Sequence, residues 1–110
     1  MNSDESQATK TQFYNAAEAS SLLPGSGRTV EIRGRRFALF NLDGEFFALD
    51  DACPHRQAPL GAGSVESDQV FCPMHGWNFN IRTGTCVVNP DRPVRTYRTQ
   101  IVDGEVQIEF

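Results

Sequence analysis

The 110-residue sequence predicts an all-β domain. Three observations carry the prediction. Short apolar runs alternate with polar residues and are divided by turn residues. Two Asp-Gly pairs, Asp43 with Gly44 and Asp103 with Gly104, stand between such runs, a strong hairpin signal. No stretch keeps the 3.6-residue period of a long amphipathic helix, and no internal repeat is visible. The pattern fits small packed sheets or an open barrel.

The elements follow in order. Residues 1–11 are mostly polar, with no large apolar residue after Met1, and read as a disordered tail ahead of one domain over 12–110. Residues 13–17 fit a first strand. Residues 19–23 fit one helical turn, stopped by Pro24 and Gly25. Residues 29–32 alternate until Gly34 breaks the run, and 36–40 form the next strand. Residues 41–44 read as a turn and 45–49 as the returning strand. Residues 55–71 read as loop. Residues 77–81 and 85–88 fit strands around Arg82, Thr83 and Gly84, and 97–102 and 105–110 form a last hairpin.

Composition narrows the function. A formal charge of −4 argues against a nucleic-acid partner. Three cysteines, an odd number, do not suggest a secreted disulfide framework. The N-terminus lacks the pattern of a signal peptide, and no apolar run approaches membrane-spanning length. The expectation is a soluble cytoplasmic protein in a reducing compartment, with no membrane partner.

The chemistry sits in two short boxes. Cys53, Pro54 and His55 form the first, and Cys72, Pro73, Met74 and His75 the second. Each offers one thiolate and one imidazole, and together they use both histidines of the chain. Pro54 and Pro73 stiffen the two loops. Gly61, Gly63 and Gly76 are expected to permit close backbone approach to a ligand. Three readings compete. The four residues are structural, or they hold a tetrahedral zinc, or they hold a [2Fe–2S] cluster on which imidazoles replace two thiolates. Zinc sites usually group cysteines in one box and histidines in another; here each box is mixed.

The boxes, separated by sixteen residues, resemble the Rieske [2Fe–2S] signature. The resemblance extends through 49–55, 58–61, 78–84 and 93–97. It is shared with Rieske-type ferredoxins and with the small subunit of NAD(P)H-dependent nitrite reductases. It implies a Rieske-like (ISP) fold of three small antiparallel sheets, with the cluster at the tips of two loops. It also implies Cys53 and Cys72 on the inner iron, His55 and His75 on the outer iron, and residues 89–93 as a third, proline-rich loop over the cluster.

One branch of that family departs informatively. Its high-potential members carry an extra cysteine in each box, joined as a disulfide, and hydroxyls that bond the cluster. This chain has Gln57, Ala58 and Met74 near the matching places, then Trp77 and Phe79, neither with a hydroxyl. Fewer hydrogen bonds to sulfur stabilise the reduced cluster less, so a potential of roughly −150 mV is expected.

The function implied is one-electron transfer, from a flavin-dependent reductase to a terminal oxygenase or similar redox enzyme. The alternative is the small subunit of an assimilatory nitrite reductase, bound to its large subunit. A catalytic mononuclear iron needs further histidines, and none remains. Nor is a histidine left to activate a nucleophile. Cys86 reads as a small buried hydrophobe within a strand, and Trp77 and Phe79 as core residues beneath the loops. Glu66, Asp68, Asp91 and Asp103 are candidates to steer a basic reductase.

Overall fold

A computed structural model describes residues 11–55, 57–74 and 76–110. Ten strands form three antiparallel sheets among them. In chain order the strands are β1 (Phe13–Glu18), β2 (Ser26–Ile32), β3 (Arg35–Leu42), β4 (Glu45–Asp50), β5 (Ser64–Glu66), β6 (Gln69–Phe71), β7 (Asn78–Asn80), β8 (Thr96–Tyr97), β9 (Thr99–Val102) and β10 (Glu105–Glu109). Sheet one runs β1-β10-β9, sheet two β2-β3-β4-β8 and sheet three β5-β6-β7. This is the all-β, three-sheet architecture that the resemblance implied. The tail expected over 1–11 lies outside the described residues apart from Thr11, whose hydroxyl donates to Glu109 at 2.8 Å.

β3 organises the molecule. Phe37 and Leu39 face one core, with Val30, Ala48, Val106 and Ile108. Ala38, Phe40 and Leu42 face the other, with Val70, Phe79 and Ile81. Sheet two is therefore apolar on both sides and is covered by sheet one on one side and sheet three on the other. Its near-continuous apolar run is what burial on two faces requires.

Three hairpins turn on two residues that are both left-handed: Arg33 and Gly34 (φ 52° and 81°), Asp43 and Gly44 (54° and 93°), Asp103 and Gly104 (52° and 80°). This backbone matches strand twist, which is why Asp-Gly signalled it in the sequence. The expected helical turn is a 3-10 turn at Ala19–Ser21.

Four expectations need correction. Asn41 and Leu42 belong to β3, not to the turn. Asn41 is buried, with its amide donating to the Leu22 carbonyl and accepting from the Gly44 N–H, both at 2.7 Å. Two satisfied bonds make a buried amide tolerable. The loop read over 55–71 contains the β5–β6 hairpin, whose facing Val65 and Val70 are too few to show a period. Residues 85–88 form no strand. Cys86 makes an isolated bridge to Phe79, while Val87 and Val88 are exposed. Residues 97–102 form two strands: the chain passes from sheet two to sheet one at Arg98, whose carbonyl accepts from Glu109.

Candidate metal centre

The two boxes are loops of one design. In the first, the Cys53 N–H donates to the Ala58 carbonyl at 2.9 Å and the Gln57 N–H to the Cys53 carbonyl at 2.6 Å. In the second, Cys72 donates to Trp77 at 2.6 Å and Gly76 to Cys72 at 3.1 Å. The offsets from each cysteine are identical, and so is the left-handed residue four places on, Gln57 (φ 62°) and Gly76 (φ 74°). The first loop leaves β4 of sheet two; the second joins β6 to β7 of sheet three.

Both loops point their cysteines inward. Cys53 and Cys72 are 0% and 2% exposed and lie in the same apolar core. His55 is exposed. Its ring stacks on Trp77 of the second loop, with centroids 4.3 Å apart and planes 4° from parallel. That contact brings the two boxes together. His75 falls outside the described residues.

The base of the first loop is pinned from below. The buried carboxylate of Asp51 accepts from the Thr29 hydroxyl and the Gly61 N–H, both at 2.8 Å. The Leu60 N–H donates to the Asp51 carbonyl, and Ala52 bridges Pro59. A third loop, at 89–93, reaches the first box: the Arg92 guanidinium donates to the Pro54 carbonyl at 2.8 Å.

Some expectations change here. A Cβ on Gly61 would stand 2.5 Å from the Thr29 nitrogen, and one on Gly63 would meet the Phe71 carbonyl. These glycines admit neighbouring strands, not a ligand. Phe79 is fully buried as expected, but Trp77 is half-buried and spans the loops. Cys86 is buried as expected, though outside any strand. The four candidate steering acids lie on three separate elements. Glu66 and Asp68 belong to the β5–β6 hairpin, Asp91 to the third loop and Asp103 to the β9–β10 turn. Sequence reasoning missed Asp51 and Arg92, whose partners lie 22 and 38 residues away.

The donor set fits a two-iron cluster. Two thiols share one apolar core and an imidazole stands outside it, as a cluster with distinct cysteine and histidine ends asks. Among the described residues no three His, Cys, Asp or Glu side chains converge as around a single metal ion. A two-iron cluster does not ask for that, since each iron takes only two protein side chains.

Comparison with known proteins agrees. A family model of the Rieske [2Fe–2S] domain matches residues 12–98. The 3-phenylpropionate/cinnamic acid dioxygenase ferredoxin subunit of Photorhabdus laumondii subsp. laumondii is 41% identical over 86 residues, 76% of this chain and 81% of that protein. The solved Sphingomonas yanoikuyae B1 ferredoxin matches with a TM-score of 0.82 at 32% identity, over 90% of this chain and 99% of that one. A structure described as an NADH-dependent nitrite reductase small subunit from Mycobacterium tuberculosis matches with a TM-score of 0.84 at 26% identity, over 92% and 96%. Among the described residues no helix is long and apolar enough to cross a membrane. The chain belongs to the Rieske [2Fe–2S] domain family, as an electron-transfer component that carries a Rieske-type cluster and is not itself a catalyst.

Proposed function

We propose that this chain is the ferredoxin of a dioxygenase system, held in the reducing cytoplasm. It accepts single electrons from a flavin-dependent NAD(P)H reductase and passes them to a terminal oxygenase. Cys53 and Cys72 are its inner cluster ligands, and His55 and His75 its outer ones. The domain runs over 12–110, behind a tail at 1–11.

The observation that carries this reading is the pair of matched cysteine loops joined by the stack of His55 on Trp77. When bound, a cluster of this type supplies a reversible one-electron carrier. The chain's residues do the rest. The buried cysteines keep water from one end of the site. Exposed His55 offers the other end to a partner, so the path between centres is short. Beside the exposed His55 stand exposed Met74 of the second box and Arg92, tethered to the first, one apolar and one cationic side chain for docking.

The test is the visible and EPR spectrum before and after dithionite. The expected result is a bleaching absorption with the low average g of a mixed-ligand cluster, and a potential near the low end of the family range, roughly −150 mV. C53S, C72S, H55A and H75A should each lose that signal. A colourless protein holding zinc after anaerobic iron–sulfide reconstitution would overturn the reading. The likeness to a nitrite reductase small subunit favours a second partner. Co-purification with a large sirohaem subunit, and no electron delivery to an oxygenase, would select it.

A further inference from the structure

The shared frame of the two loops exposes where they differ. Counting from each cysteine, Pro54 matches Pro73, His55 matches Met74, Arg56 matches His75, Gln57 matches Gly76 and Ala58 matches Trp77. The histidines occupy non-matching places. At the fifth place after the cysteine, where the carbonyl accepts the cysteine N–H, one loop has a methyl group and the other an indole.

Trp77 is already held before it meets His55. Its carbonyl accepts from Cys72 at 2.6 Å, and its half-buried side chain packs against the core that contains both cysteines. A ring fixed in this way loses little freedom when it stacks. It lies nearly parallel to His55, at a distance suited to contact between aromatic faces.

We propose that Trp77 is a positioning residue for His55: from the second loop it fixes the plane of the first loop's imidazole. The inference rests on the reading of His55 and His75 as ligands. Two effects of the indole act in the same direction. Its electron-rich face favours the more positive, oxidised state. Its apolar bulk excludes water and so disfavours the more negative, reduced state. Removing the ring should therefore raise the potential.

The experiment uses the cluster-bearing protein labelled with nitrogen-15 histidine, reduced with dithionite and read by pulsed EPR. Wild type, W77F and W77L are compared. In W77L one histidine nitrogen coupling should change while the other stays, the potential should rise, and cluster loss to a chelator should be about tenfold faster. W77F, which keeps a flat ring, should stay near wild type. If W77L does not assemble a cluster, W77M is read in its place. Unchanged couplings and potential with a lowered melting temperature would reduce Trp77 to packing and overturn the proposal. Equal changes in both couplings would also overturn it. A wild type without the mixed-ligand signal would remove the ligand set itself, and the proposal with it.

Discussion

Asp51 is a buried carboxylate whose oxygen accepts two hydrogen bonds from different elements, the Thr29 hydroxyl of β2 and the Gly61 N–H beyond the first loop. It therefore sets the height at which Cys53 leaves sheet two. Replacing it with alanine strands the buried Gly61 N–H, at a cost of roughly 1–3 kcal/mol, and leaves the part-buried Thr29 hydroxyl without its acceptor. D51A should lower the urea midpoint of the cluster-bearing protein and speed cluster loss. D51N keeps an acceptor and should fall between D51A and wild type. A D51A protein with the wild-type midpoint would show that water replaces the carboxylate without loss. The sequence placed Asp51 within a familiar stretch but gave no role for it, because the role depends on a strand that ends well before it in the chain.

At the scale of elements, two glycines separate close packing from backbone conformation. Gly61 has ordinary φ, but an added Cβ would stand 2.5 Å from the Thr29 backbone nitrogen. Backbone cannot swing aside as a side chain can, so G61A should cost roughly 1–3 kcal/mol through overpacking where the first loop returns to β2. Gly76 has open space around an added Cβ, but its φ is +74°. G76A should cost roughly 1–2 kcal/mol through left-handed strain alone. Urea midpoints of both variants, with a G61S control that should be at least as damaging as G61A, check the contrast. Equal tolerance at both positions would mean that β2 and the loop shift freely. Gly76 was legible as a loop glycine. The reason for Gly61 was not, since the strand it admits lies about thirty residues earlier.

At the scale of the whole molecule, an aromatic cluster ties sheet one to sheet two. Tyr14 meets Phe110 at 4.6 Å, Phe110 meets Phe37 at 4.8 Å, and Phe37 meets Tyr97 edge-on at 5.0 Å. The Arg35 guanidinium lies 5.0–5.6 Å from the Phe110, Phe37 and Tyr97 rings and donates to the Tyr97 hydroxyl at 2.9 Å. That hydroxyl donates to Asp50 at 2.6 Å. Burial, and then the bond to Asp50, hold the Tyr97 phenol above its ordinary value of 10.0. The folded protein thus keeps a proton that the unfolded chain gives up. The stabilisation is complete below that ordinary value and is lost as pH rises through the folded one. The urea midpoint of wild type should fall more steeply above about pH 10 than that of Y97F. Parallel curves would mean that Tyr97 does not titrate differently in the two states.

The sequence by itself determined the strand-and-turn alternation, the Asp-Gly hairpins and the two boxes, because each rests on neighbours in the chain. A hairpin turn needs two adjacent residues, and a box needs a thiolate and an imidazole a few residues apart. Tertiary structure decided what those pieces do together. It buried Asn41 in β3, divided 97–102 between two sheets and ended the pairing beside Cys86. It also set His55 against Trp77 and hung the third loop from Pro54 through Arg92. Each of these outcomes joins residues from separate elements, and a local period holds no information about which distant surface will cover it.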